Sequence, residues 1–372
     1  MPRPPSFAAV AAVLLAFATG SAVLWAAADR DRFPQLEPET WVRWDSKHYL
    51  AIATHGYELT PCANVDSSYA PTAWCGNTGW LPGYPALIAG LGHLGIAAPA
   101  AGVLLAALFH LITLALAWNA ADDVPLIQRA GVLLLVALAP GQAYHHAVFP
   151  ISMFCALALG AWIAAQRGRF VWSGALGGAA AFTYSTGFLL AAVLAAGIAL
   201  GTRGEGARPR ARAAGLAAAL TALGFVAALA VQAVAVGRWN AFFLVQEKYG
   251  HGLHSPLGAL SRTLEPLRAY PRDWVAVQSL VVTASALALV AALAWRFRPR
   301  GLDVFLTAYG LTYWVFPLVV GGNISLYRAE ALLLPAFLLL RRAPVALQLV
   351  LCAGLAYLDY KMGIRFFRGV LV

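Results

Sequence analysis

Asp45 is the one carboxylate amid Arg43, Trp44, Lys47, His48 and Tyr49, in the stretch WVRWDSKHYLAIATHGYE from Trp41 to Glu58. A carboxylate within hydrogen-bond reach of a hydroxyl can take its proton as a glycosidic or acyl bond forms, which is general-base catalysis. Arg43, Lys47 and His48 suit a phosphate leaving group, held by charge-assisted hydrogen bonds. Lipid headgroups attract the same residues, and both readings stay open. Helical spacing over 39–55 predicts a short amphipathic helix with Trp41, Asp45, His48/Tyr49 and Ile52 along one face. Trp41 and Trp44 also fit an interfacial aromatic belt. Asp45 does not, because a carboxylate anchors nothing in lipid.

Three further polar clusters accompany it: Tyr144-His145-His146, Lys248-Tyr249-Gly250-His251 with His254, and Asn323 to Arg328. Adjacent histidines face different sides of a helix, and no cysteine or carboxylate stands at ligand spacing. The expectation for His145, His146, Lys248 and His251 is therefore contact with a headgroup or substrate phosphate, with no metal and no cofactor. Arg328 opens an apolar segment, where a helix N-terminus and a guanidinium together hold an anion. Of the four cysteines, Cys155 and Cys352 lie in apolar runs as small core residues. Cys62 and Cys75 share one polar loop and are expected to form a disulfide on an oxidising face of the membrane. A phosphate-binding loop, a dinucleotide fingerprint, a G-x-S-x-G elbow and an HExxH pair are all absent from the sequence.

The elements that position these residues are membrane helices. With 61% apolar residues, 11% charged and a mean hydropathy of +0.70, the chain reads as one polytopic, all-α domain over 1–372. The run Phe7 to Ala28 ends in Ala26-Ala27-Ala28, which resembles a processing site. Its length instead favours an uncleaved first span. Further spans are expected near 99–118, 130–141, 150–166, 171–183, 186–200, 215–236, 276–295, 303–320, 329–340 and 344–360, some shorter than a full crossing needs. The net charge of +10 sits in short loops between them, a topology signal rather than a nucleic-acid surface.

Positive-inside reasoning puts Arg3, Arg167/Arg169, Arg203/Arg208/Arg210/Arg212, Arg296/Arg298/Arg300 and Arg341/Arg342 in the cytoplasm. The segment 171–200 must then go out and return, turning near Tyr184-Ser185-Thr186-Gly187. The run Trp80 to Ala98 must stay in the interface rather than cross. Two large external loops result, 29–98 with its interfacial helices and 237–275. The tail with Lys361, Arg365 and Arg368 falls outside, against the rule. The plasma membrane is the expected location, with Asp45 on the extracytoplasmic face.

RWDSKHYLAIATHGY at 43–57 and GWLPGYPALI at 79–88 resemble the PIG-V-type mannosyltransferases, GPI mannosyltransferase II and its bacterial relatives within the GT-C membrane glycosyltransferases. GRWNAFFLVQEKYGHGLHSP (237–256) and SLYRAEALLLPAFLLL (325–340) extend the similarity over most of the chain. The resemblance implies a GT-C fold of about 10–11 transmembrane helices and inverting, metal-independent transfer of a sugar, usually mannose, from a polyprenyl phosphate. It gives Asp45 the role of base and matches Arg328 to the family's basic residue before the last helices. Trp44, His48 and Tyr49 lie in the same motif. Two positions depart from the family. Ile151 stands where an acidic residue is usual, and Tyr184 replaces the arginine of an R-P-T-G turn.

The expected function is therefore a hexosyltransferase moving a sugar onto a cell-envelope glycolipid, glycan or protein. A lipid-linked glycan transporter is the alternative; the lack of an internal repeat and the near absence of ionisable residues in mid-span weaken it. The two departures keep a catalytically inactive scaffold as a third reading.

Overall fold

A computed structural model describes residues 7–28, 37–65, 70, 72–201, 206–295, 301–321 and 326–370. Six helices are long and apolar enough to cross a membrane: α1 (Phe7–Ala27), α4 (Ala98–Ala120), α10 (Ala207–Val236), α14 (Trp274–Trp295), α15 (Gly301–Val320) and α17 (Val345–Phe367). Their outward side chains, Leu15, Leu223, Leu287 and Val350 among them, are exposed and apolar. A soluble protein rarely exposes so much contiguous apolar surface. The chain is a multi-pass membrane protein.

Four shorter apolar helices fill four of the five remaining expected spans: α5 (Leu126–Ala137), α7 (Ile151–Gln166), α8 (Phe170–Thr183) and α9 (Leu190–Gly201). The hairpin expected over 171–200 is present, with its turn at 184–187 between α8 and α9. Small residues let α8 meet α10 closely: a Cβ on Gly224 would lie 2.0 Å from the Gly178 carbonyl oxygen. Such backbone approach is how apolar helices gain packing energy where water supplies none.

Among the described residues from 37 to 97 the elements are short: α2 (Ser46–His55), strands β1 (Leu59–Pro61) and β2 (Trp74–Gly76) paired antiparallel, and α3 (Gly83–Gly92). At ten residues, α3 reaches about 15 Å and cannot cross a bilayer. The second loop likewise folds into short pieces, α11 (Ala241–Glu247), α12 (Pro256–Leu264) and α13 (Pro266–Ala269). A four-residue α6 (Ala143–His146) precedes α7, and a five-residue α16 (Leu326–Glu330) precedes a 3₁₀ segment, Ala331–Arg342.

That 3₁₀ segment replaces the helical span expected at 329–340, and Pro335 is at its centre. Proline lacks the N–H that would serve the carbonyl of Ala331 in an α-helix or of Leu332 in a 3₁₀ helix. Side chains from neighbouring helices bond both. The Nε2 of His145 lies 3.0 Å from the Ala331 oxygen, and the Tyr309 hydroxyl donates to Leu332 over 2.7 Å. Arg3, Arg203, Arg296, Arg298, Arg300 and Asn323, used above in the topology and cluster arguments, lie outside the described residues.

Candidate active site

Asp45 does not continue a helix from residue 39. A 3₁₀ turn, Pro38–Trp41, ends first, and the chain reverses through Trp44 at φ 45°, the only non-glycine with positive φ among the described residues. A left-handed bulky residue of this kind costs about 1–3 kcal/mol and persists where its surroundings hold it. The Trp44 indole is held edge-on to Phe366 and tilted against Tyr144. The Arg43 N–H donates to Ser46 Oγ over 3.1 Å, closing the same turn. Asp45 then sits at the N-cap of α2 without a capping bond, so its carboxylate is free to point elsewhere.

It points to Arg328, 283 residues away, whose guanidinium donates to Asp45 Oδ2. The two side chains are 24% and 26% exposed, so the pair is partly enclosed yet reachable. Burial pulls the Arg328 pKa down; Asp45, together with Tyr184, Tyr144 and Tyr49, outweighs it and pushes the value up. Helix α16 is too short for its N-terminus to add an anion site, so the charge rests on the guanidinium alone.

Beside the pair, His48 stacks on Trp80 with ring centroids 3.6 Å apart and planes within 15°. Tyr249 meets Trp80 edge-on, and the Lys248 ammonium lies over the Tyr249 ring. Burial lowers the His48 pKa; Asp45 raises it and Lys248 lowers it again, for a net depression. His251 is lowered as well, by burial and by Arg328. Both imidazoles are neutral at neutral pH. An unfolded chain would take these protons near the ordinary value of about 6.5, before the folded one does. Stability is then present above that value and lost as pH falls below it. A lower thermal midpoint at pH 5 than at pH 7.5 is expected, with a smaller difference in His48→Gln; an unchanged difference would remove His48 from the explanation.

Trp80 was not visible as a site residue. Its indole is placed by polar clamps on its backbone: the Tyr57 hydroxyl and Gln232 Nε2 both donate to the Trp80 carbonyl. Asn77 braces the same turn, accepting from Glu58 N–H and donating to the Gly56 carbonyl. Tyr184 is the second missed residue. Burial raises its pKa to about 12; Arg328 opposes that rise and Asp45 adds to it. The departure of this position from the R-P-T-G pattern was the available signal. The other departure, Ile151, is buried at the start of α7.

Several expected contacts lie elsewhere. Arg43 turns away from the pair and its Nη2 donates to the Phe367 carbonyl, 3.5 Å off, at the end of α17. Helix C-termini present unbonded carbonyls that attract cations, which accounts for this placement. It also sets the C-terminal end of α17, with Arg365 and Arg368, on the same side as Asp45. Lys47 is exposed on the outer face of α2. Trp44 packs inward, and Tyr49 is buried edge-on to Tyr84 and Phe149, supporting α2 from beneath. His145 and His146 are corrections: both are buried, not loop residues facing a substrate. His145 bonds the Ala331 carbonyl left by Pro335, with its Nδ1 3.1 Å from Ser152 Oγ. His146 packs between Phe17 and Trp41 and bonds Gln142.

Cys62 and Cys75 form a disulfide across a separation of 13 residues, and Lys248 Nζ lies 3.6 Å from Cys75 Sγ. The bond closes the β1–β2 loop at the rim of the site. Closing a loop of this length is worth about 3 kcal/mol by the chain-entropy relation. Cys62→Ser/Cys75→Ser is expected to lower the thermal midpoint measurably, and reductant to lower the wild type to the same value. A midpoint indifferent to both would show that the bond contributes nothing.

Taken together, a carboxylate, a guanidinium, an ammonium and neutral histidines meet at one end of a membrane helix bundle. The sequence matches no family model and no curated protein.

Proposed function

We propose that the protein is a membrane glycosyltransferase that moves a sugar, mannose by the resemblance of its motifs, from a polyprenyl phosphate to a cell-envelope acceptor. The observation that carries this reading is the Asp45–Arg328 pair, which joins the segment of most specific motif resemblance, 43–57, to a later segment of weaker resemblance, 325–340. Arg328 would hold the donor phosphate and Lys248 would add a second cation. As phosphate competes for Arg328, the Asp45 carboxylate would turn to the acceptor hydroxyl. That hydroxyl oxygen forms the bond to the anomeric carbon while the carbon–oxygen bond to phosphate breaks. The proton goes to Asp45, and the electron pair leaves with the phosphate. Configuration inverts because attack and departure lie on opposite faces. No metal is needed where guanidinium and ammonium already balance the leaving charge.

In this reading the chain lies in the plasma membrane with the pair on the extracytoplasmic face, as the loop arginines indicate. The test is sugar transfer from radiolabelled polyprenyl-phosphomannose in membranes containing the protein. Label should pass to a lipid-linked, glycan or protein acceptor. No transfer from any polyprenyl-phosphate sugar would favour transport or a scaffold role.

A further inference from the structure

Glu330 is a buried carboxylate with no cation to answer it. It ends α16 and is 7% exposed. Its one bonded neighbour is an amide: Gln278 Nε2, on α14, donates to Oε2 over 3.0 Å. Among the described residues no arginine or lysine acts on it, and Arg328, two positions earlier, turns to Asp45 instead. A carboxylate enclosed in this way takes up a proton or finds a cation.

The surroundings supply oxygen atoms for a cation. Ser279 Oγ and Thr283 Oγ1, one turn apart on α14, are buried without a protein partner, as is Gln278 Oε1. Thr283 is 9% exposed. With Glu330 it lines a cavity of about 10 Å³, whose wall on α15 includes Tyr313 and Pro317. Pro317 lies inside that helix and lacks the N–H that would serve the Tyr313 carbonyl, which leaves this oxygen available where both residues meet the cavity.

These features select the ion. Every donor is oxygen, the preference of a hard cation. One carboxylate matches one positive charge, whereas calcium gathers six to eight oxygens and magnesium keeps several of its waters. The cavity has room for about one water. Sodium is smaller than a water and fits with slack; potassium is about as large as one. Carbonyls released where membrane helices are interrupted are a recurring source of sodium ligands.

We propose that α14, α15 and α16 hold one sodium ion between them, ligated by the Glu330 carboxylate, the Thr283 hydroxyl and the Tyr313 carbonyl oxygen. The ion fastens the short helix that carries Arg328 to the two long helices behind it. It takes no part in the transfer chemistry, and none of its readouts involves sugar transfer.

The protein is purified in uncharged detergent with N-methylglucamine as the buffer cation, at mildly alkaline pH. Sodium or potassium chloride is then added at fixed ionic strength, and thermal midpoint and retention of radiolabelled sodium are followed. Wild type should retain one sodium per chain, and its midpoint should rise to a plateau at about tenfold lower sodium than potassium. Thr283→Val keeps the shape but removes one ligand, and should raise the half-saturating sodium concentration about tenfold. Glu330→Gln still accepts from Gln278 and should lose the sodium response altogether. Thr283→Val leaves every charge in place, so it reads the site even where Glu330→Gln does not fold. Equal midpoints in sodium, potassium and N-methylglucamine overturn the proposal and leave a water on a protonated carboxyl. A sodium response unchanged in Thr283→Val and in Glu330→Gln overturns it too, by placing the ion elsewhere.

Discussion

Asp45→Asn is expected to lower sugar transfer by about 10²–10⁴-fold, the usual contribution of a positioned general base. The substitution preserves shape, and the amide oxygen can still accept from Arg328, so the fold around Trp44 should hold. What is lost is the capacity to take a proton as the acceptor hydroxyl attacks. The fall should appear in kcat, with the donor KM changed much less, because the amide leaves the phosphate contacts of Arg328 and Lys248 in place. Initial rates against donor concentration separate the two. A thermal midpoint near that of wild type confirms that the variant is folded. Transfer at wild-type rates would show that Asp45 is not the base, and a rise in KM alone would make it a binding residue.

Hydropathy and loop arginines revealed much of the frame. The spans near 99–118, 171–183 and 186–200 and the turn between the last two coincide with helices, and residues 80–98 form no crossing helix. These features are local: each depends on the composition of one segment. The long-range partnerships were not legible. Asp45 and Arg328 each stood out by type, yet nothing in their spacing says that their side chains meet. The helix expected over 39–55 failed at Trp44, since aromatic packing from α17 overrides local periodicity. His145 and His146 looked like loop residues because their sequence is polar. His145 is drawn inside by the carbonyl that Pro335, almost two hundred residues later, leaves unbonded, and His146 by packing between Phe17 and Trp41. Six helices have the length and composition of full spans, and the others are shorter apolar pieces packed among them.

The largest expected effect on stability lies at the opposite end of the molecule, at Arg341. Its side chain is 2% exposed; Nε donates to Asp123 over 2.9 Å and Nη1 to Asp303 over 2.6 Å. Asp303 is itself nearly enclosed at 9%. Arg341→Met keeps most of the side-chain volume but removes the charge between two carboxylates. Removing one partner of a buried pair costs about 3–5 kcal/mol when the other charge is left uncompensated; Arg342, which also pairs with both carboxylates, puts the expected loss at the lower end of that range. If that is the cause, Arg341→Met/Asp303→Asn should be more stable than Arg341→Met alone, since the second change removes a buried carboxylate that has lost its 2.6 Å partner and keeps Arg342 only at 3.6 Å. Unfolding in denaturing detergent, followed by helix content, measures both. A single variant as stable as wild type, or a double variant whose losses simply add, would show that the pairing is not what holds this end. The consequence reaches the candidate site through one stretch of chain. Arg341 anchors the far end of the 3₁₀ segment that begins three residues after Arg328, and the Tyr309 and His145 bonds near Pro335 fasten the rest. Releasing that anchor should therefore weaken transfer as well as stability, although Arg341 touches neither Asp45 nor Arg328.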